Sequence, residues 1–127
     1  MRTAALLLAL LALAGCGSRA PRAGSLADLT VRVDLDGPRG AQPARVLRLR
    51  CTQPTDSEAC GAAAGVSDHD LAPTPRGRAC TQIYGGPQTA TIVGTLRGER
   101  VDARFSRADG CEIARWNGVA DLLREVR

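Results

Sequence analysis

The chain has 127 residues, of which 17 are basic and 13 are acidic, and its formal net charge at pH 7 is +4. This length allows one small domain after an N-terminal leader and excludes a second domain. All basic residues are arginines scattered among the acids, and only Tyr84, Phe105 and Trp116 can stack on bases. This composition argues against a nucleic-acid-binding protein.

Residues 1–15 have the pattern of a bacterial lipoprotein signal peptide. One arginine precedes an apolar run, residues 4–14, which is too short to span a bilayer. The run ends in LAGC, which resembles a lipobox, the motif in which the cysteine is diacylated and becomes the first mature residue. We therefore expect Cys16 to carry lipid and to hold the protein at the extracytoplasmic face of the cell membrane. An ordinary signal peptide with an incidental cysteine is the alternative.

Residues 16–28 are predicted to be a flexible spacer between the lipid and the domain, because they carry Gly, Pro and Ser without hydrophobic periodicity. The domain itself is assigned to residues 29–127. Its first segment, residues 29–35, alternates apolar and polar side chains. A turn rich in Gly and Pro then leads to the run 46–51, so these two segments predict an antiparallel strand pair.

The middle of the domain predicts a short helix followed by a loop. Residues 56–64 have an acidic start and several alanines, which favours a helix that includes Cys60. Residues 65–78 contain two glycines and two prolines, so we expect a loop there.

The last third of the domain predicts a hairpin and a helix. Residues 88–96 and 99–105 are β-rich runs joined at Arg97-Gly98, a sequence suited to a two-residue hairpin turn. Apolar residues at helical spacing in 111–126 predict a C-terminal helix that covers the sheet, with Trp116 in the core.

Four cysteines remain when Cys16 is set aside: Cys51, Cys60, Cys80 and Cys111. An even number of cysteines in an oxidising compartment predicts two disulfides. Three pairings are possible, and spacing favours Cys51 with Cys60 and Cys80 with Cys111 without proving that choice. The chain has no Cys-x-x-Cys pair and a single histidine, so we expect no metal site.

No group of residues predicts catalysis. His69 lies in the predicted loop, and the sequence offers no separate carboxylate and nucleophile to complete a triad with it. No glycine-rich phosphate-binding loop follows a predicted strand. The protein is therefore predicted not to be an enzyme and to need no cofactor.

Several segments, in order, resemble the Streptomyces subtilisin inhibitor family, and together they cover about residues 29–111. They are residues 46–51, 59–60, 68–73, 80–84 and 95–101, with the pairs 105–106 and 111–112. The resemblance implies an α+β fold with a five-stranded antiparallel sheet and two helices. It also implies the disulfides Cys51–Cys60 and Cys80–Cys111, and a protruding loop that is presented to serine proteases.

The same resemblance assigns roles to the stretch that begins with Thr81. In that family the scissile bond lies two residues after the third framework cysteine, which here is the bond between Gln82 and Ile83. Gln82 would enter the primary specificity pocket of the protease, Thr81 and Ile83 would flank the attacked carbonyl, and Tyr84 would add an aromatic contact. The implied partner is an extracellular serine protease, either subtilisin-like or trypsin-like.

Three features depart from the family pattern. An apolar residue such as Met or Leu is usual where this chain has Gln82, and Asp-Pro usually follows the tyrosine position, where this chain has the more permissive Gly85-Gly86-Pro87. Residues 112–127 read as helical instead of as a strand-like tail, which leaves a homodimer open. Two functions follow as hypotheses, a membrane-anchored protease inhibitor and a surface binding module that uses the scaffold without inhibiting a protease.

Overall fold

The computed structural model describes residues 24–126. The predicted signal peptide and the lipidation site Cys16 lie outside the described residues. The domain is built on four antiparallel strands, β1 (Ala27–Asp34), β2 (Arg45–Cys51), β3 (Thr89–Leu96) and β4 (Glu99–Phe105). Their spatial order is β2-β1-β3-β4, so β1 and β3 are the central strands.

Four short helices complete the domain: α1 (Glu58–Gly65), α2 (Asp68–Leu71), α3 (Gly110–Gly118) and α4 (Ala120–Arg124). A single 3-10 turn, Pro54–Asp56, precedes α1. The described residues contain no helix that is both long enough and apolar enough to cross a membrane.

The five-stranded sheet with two helices is wrong, because within residues 24–126 the sheet has four strands and four helices accompany it. The four strands are the four segments that alternation and turn residues predict, and β1 begins at Ala27, two residues before the predicted start of the domain. In the described part of the chain no fifth strand forms, and the segment after β4 is helical as its local pattern predicts, since the Asp109 carboxylate accepts the Glu112 N–H at 3.0 Å and begins α3. Residues 110–124 therefore form the helices α3 and α4.

The helices also differ from their predicted bounds. The predicted loop 65–78 contains α2, which begins with a capping box between Ser67 and Asp70. The predicted C-terminal helix is divided into α3 and α4 at Val119, whose φ and ψ of −112° and 6° are not helical. A Cβ on Gly118 would lie 2.2 Å from the Asp70 carboxylate, so the glycine allows α2 and α3 to approach closely.

The core lies between one face of the sheet and the helices. Side chains alternate along β1, where Ala27, Leu29, Val31 and Val33 are buried and Asp28, Thr30 and Arg32 are exposed. The helices contribute buried residues from α1 and α4 to the same cluster, and Trp116 packs against it while remaining partly exposed. Burial of this apolar surface is the main stabilising contribution, at roughly 25 cal/mol per Å².

The disulfide Cys51–Cys60 connects the last residue of β2 to α1 in the core, with a Cα–Cα distance of 5.7 Å. The Ser57 hydroxyl accepts the Cys60 N–H at 3.1 Å, so the helix is capped beside the disulfide. The predicted pairing of these two cysteines is confirmed.

The β3–β4 turn and the segment that precedes β3 lie at opposite ends of the sheet. Ala27 pairs with Leu96 at the end where the Arg97-Gly98 turn joins β3 to β4, and Asp34 pairs with Thr89 at the other end. The turn requires a positive φ of 51° at Arg97, whose guanidinium donates to the Val66 carbonyl at 3.0 Å. The segment that precedes Thr89 is therefore at the sheet end opposite to the start of β1.

Candidate functional site

The segment 79–88 connects the helical region to β3 and forms neither helix nor strand. It contains all four predicted protease-contacting residues, Thr81, Gln82, Ile83 and Tyr84, and each is exposed. Ile83 and Tyr84 are 60% and 68% exposed, the largest exposed fractions among the large apolar side chains of the described chain. The loop therefore exposes two adjacent apolar side chains to solvent.

The N-terminal side of this loop is held by α3. The disulfide Cys80–Cys111, with a Cα–Cα distance of 5.4 Å, joins the loop to the first turn of the helix, which confirms the second predicted pairing. The Thr81 carbonyl also accepts the Gly110 N–H at 3.0 Å. A Cβ at position 110 would lie 2.0 Å from the Thr81 hydroxyl oxygen and 3.3 Å from the Thr81 Cβ, so any larger residue would force the Thr81 side chain to move.

The C-terminal side of the loop is held by the segment between β4 and α3. The Gly85 N–H donates to the Arg107 carbonyl at 2.7 Å. A Cβ on Gly85 would lie 3.0 Å from the Ile113 side chain, and Gly86 has a φ of 126°. The two glycines that look permissive in the sequence therefore occupy a close contact and a backbone conformation that disfavours other residues.

Three residues lie between these two anchors. Within residues 24–126, the backbone groups of Gln82, Ile83 and Tyr84 make no hydrogen bond to another residue of the chain. Their N–H and C=O groups are therefore free to pair with an added strand, which is the way many partners bind an extended peptide.

Helix α3, which carries the first anchor, is fixed to the sheet by Arg115. Its guanidinium pairs with Glu112 at 2.9 Å, with side chains only 14% and 20% exposed, and donates to the Arg104 carbonyl at 3.0 Å. It also lies 4.8 Å from the centre of the Phe105 ring, at a cation–π distance. The Thr74 hydroxyl donates to Glu112 at 2.7 Å, so the segment before the loop is joined to the same pair.

Arg107 connects the second anchor to the core. Its guanidinium lies 6.0 Å from the centre of the Trp116 ring and 3.5 Å from the Gln88 side-chain oxygen. Sequence reasoning missed the roles of Arg107, Gly110 and Arg115. The Asp109-Gly110 pair at the start of an amphipathic pattern is the one available sequence signal, since aspartate favours the N-cap.

The geometry gives no support for metal or acid–base chemistry at the loop. Cys80, Asp109 and Cys111 place ligand-type atoms within 4.8 Å of one another, but both sulfurs are consumed in the disulfide and offer no thiolate. His69 is exposed on α2, where the Ser67 hydroxyl is used in the helix cap.

No protein-family model matches the sequence, and neither a curated protein nor a solved structure matches the chain.

Proposed function

We propose that the protein is a serine protease inhibitor that acts through a substrate-like loop with its scissile bond between Gln82 and Ile83. Lipid on Cys16 would display it on the extracytoplasmic face of the membrane. One observation carries the proposal: an exposed stretch with free backbone groups lies between two anchors, the Cys80–Cys111 disulfide and the hydrogen bond from Gly85 to Arg107.

The anchors support inhibition because they reduce the entropy lost on binding. A flexible substrate loses backbone freedom when it is bound in extended form, at about 1–2 kcal/mol per residue. A loop held at Thr81 and Gly85 has already lost most of that freedom, so more of the contact energy becomes affinity.

The anchors also support slow release after cleavage. If the bond after Gln82 is hydrolysed, the new carboxyl end remains attached through Cys80 to α3, and the new amino end continues through Gly85 into β3. Neither end can diffuse away, so the cut bond stays in position to be religated.

Gln82 determines the type of protease that we expect. Glutamine is about as long as methionine, but burying its amide without a hydrogen-bond partner costs roughly 1–3 kcal/mol, which is about fivefold to more than a hundredfold in affinity. The target is therefore a serine protease whose primary pocket supplies a polar partner for the amide, and subtilisin itself should be inhibited weakly.

The test uses residues 16–127 with Cys16→Ser, so that no lipid is attached. The protein is titrated against a panel of subtilisin-like and trypsin-like proteases, while residual activity and cleavage after Gln82 are followed. Stoichiometric inhibition with slow cleavage at that bond is the expected result. Rapid turnover at the loop, or no interaction with any protease, would contradict inhibition and favour the surface binding module.

Substitution of Gln82 separates the scaffold from the pocket residue. Gln82→Met should strengthen inhibition of subtilisin by about fivefold or more, because the unpartnered amide is removed. Gln82→Gly should weaken inhibition of every protease that the parent chain inhibits. Gln42→Met makes the same side-chain change in the β1–β2 loop and should leave all inhibition constants unchanged.

A further inference from the structure

The face of the sheet that points away from the helices, called here the open face, is rich in arginine. Side chains on this face alternate with the buried residues of each strand. Five arginines from three of the four strands lie on it, and all five are exposed: Arg32, Arg48, Arg50, Arg100 and Arg104.

Acidic residues offset only part of this charge. Asp28, Asp34 and Asp102 share the face, which leaves an excess of two positive charges from five arginines and three aspartates. Asp28 pairs with Arg50 at 3.6 Å, and both side chains are more than 60% exposed, so this ion pair is weak.

The other four arginines have no ion pair within residues 24–126. The strand register explains why. Arg48 lies opposite Thr30, and Arg32 lies between Val46 and Thr91. Arg100 and Arg104 lie opposite Thr95 and Thr91, so the cross-strand neighbours of all four arginines are uncharged. The guanidinium donors are therefore available to an external anion.

We propose that the open face binds the phosphate headgroups of an anionic phospholipid bilayer. Arginine forms bidentate hydrogen bonds with phosphate, and three strand spacings of about 4.8 Å spread the guanidiniums over several headgroups. Val46 and Val93, 49% and 45% exposed on the same face, add short apolar contacts at the headgroup level. This interaction goes beyond the proposed protease inhibition and does not depend on it.

The position of the predicted lipid anchor is consistent with a bilayer as the occupant. Ten residues separate Cys16 from Ala27. At no more than about 3.5 Å per residue they reach at most about 35 Å, so an anchored domain stays close to the headgroups. A second copy of the chain is a poorer occupant, because two open faces with the same excess of positive charge repel each other.

The test is sedimentation with lipid vesicles, using residues 16–127 with Cys16→Ser. The protein should bind vesicles of phosphatidylcholine mixed with phosphatidylglycerol, and it should not bind phosphatidylcholine alone. High salt should release it, because salt screens exposed charges beyond a few ångströms. No protease is present, so the result is independent of the inhibition test.

A triple variant on the open face gives the decisive comparison. Arg32→Gln, Arg48→Gln and Arg104→Gln together should weaken binding by about a hundredfold, at about fivefold for each arginine removed. The matched control, Arg39→Gln, Arg76→Gln and Arg78→Gln, removes the same charge from exposed loops and should bind nearly as well as the parent chain.

The proposal is overturned if anionic vesicles are not bound, if phosphatidylcholine alone is bound equally well, or if both triple variants lose binding equally. Light scattering supplies one further outcome. A parent chain that is dimeric, with a monomeric open-face variant, would identify the face as a contact between two copies and would also overturn the proposal.

Discussion

The two disulfides differ in how deeply they are buried and in what they join. Cys51 and Cys60 are 2% and 1% exposed and join a strand to a helix within the core. Cys80 and Cys111 are half-buried and join an exposed loop to α3. The loops they close have sequence separations of 9 and 31, which correspond to about 2.7 and 3.7 kcal/mol in the chain-entropy model.

Loop length and burial predict opposite orders for the contributions of the two disulfides to stability. Chain entropy favours the surface bond, whereas the packing of buried sulfur atoms favours the core bond. The core disulfide should therefore determine stability most strongly, and the surface disulfide should determine the conformation of residues 81–85. Stability and loop conformation are thereby divided between the two bonds.

Removing the core disulfide should have the largest effect on stability. We expect Cys51→Ala with Cys60→Ala to lower the free energy of unfolding by about 4–5 kcal/mol, since loop closure and buried contacts are both lost. Urea unfolding followed by Trp116 fluorescence measures the change. Inhibition by the fraction that remains folded should be preserved, and a loss of inhibition by that fraction would contradict the division.

Removing the surface disulfide should have the second-largest effect on stability and the largest effect on inhibition. Cys80→Ala with Cys111→Ala should lower the free energy of unfolding by about 3.7 kcal/mol. The inhibition constant should rise by about a hundredfold or more, because two or three loop residues must then be ordered on binding. Unchanged inhibition by this variant would show that the hydrogen-bond anchors alone hold the loop.

A single glycine tests the anchor without breaking a covalent bond. Gly110→Ala places a Cβ against Thr81 and should raise the inhibition constant by about tenfold, which is about 1.4 kcal/mol of binding free energy. The matched control is Gly61→Ala in α1, where a Cβ meets only the Pro54 carbonyl at an ordinary 3.5 Å. The control should gain about 0.5–1 kcal/mol of stability, with inhibition unchanged.

The smallest expected effect concerns the pH dependence of the turn between Cys51 and Cys60. The pKa of Asp56 is lowered from 3.8 because the Gln53 and Thr52 N–H groups, and the Thr52 hydroxyl, donate to its carboxylate. This stabilisation is complete above pH 3.8 and is lost as the pH falls through the lower folded value.

Asp56→Asn should therefore be less stable than the parent chain near neutral pH, and this difference should shrink below the folded pKa of Asp56. Urea unfolding at several pH values measures the difference. A difference that does not change with pH would mean that the carboxylate charge contributes nothing to the turn.

The sheet could be predicted from the sequence because its signals are local. Alternating residues and the Arg97-Gly98 turn give all four strands to within two residues. The expectation of a fifth strand came from the resemblance alone, and it is wrong because residues 24–126 form four strands, with helices after Asp109 as the local pattern predicts. Helix α2 was missed because four residues are too few for periodicity, although the capping box Ser67-x-x-Asp70 was a visible signal.

The exposed loop could be predicted in part. The resemblance implied a protruding loop that includes Thr81 to Tyr84, and those residues are exposed. The hydrogen bonds from Gly110 to Thr81 and from Gly85 to Arg107 join positions that are more than 20 residues apart, and no local pattern encodes such contacts. The exposed loop could therefore be predicted, but the two hydrogen bonds that fix its conformation could not.

The start of β1 and the exposed loop lie at opposite ends of the sheet, and this placement has a mechanical consequence. A pulling force between Ala27 and Tyr84 acts on the N-terminal end of β1 and, through the loop, on the N-terminal end of β3. These strands are adjacent and antiparallel, so the force slides one past the other and loads their eight register pairs together. Hydrogen bonds loaded in shear break collectively instead of one at a time, so a domain that is tethered at one end and gripped at the other should resist extension.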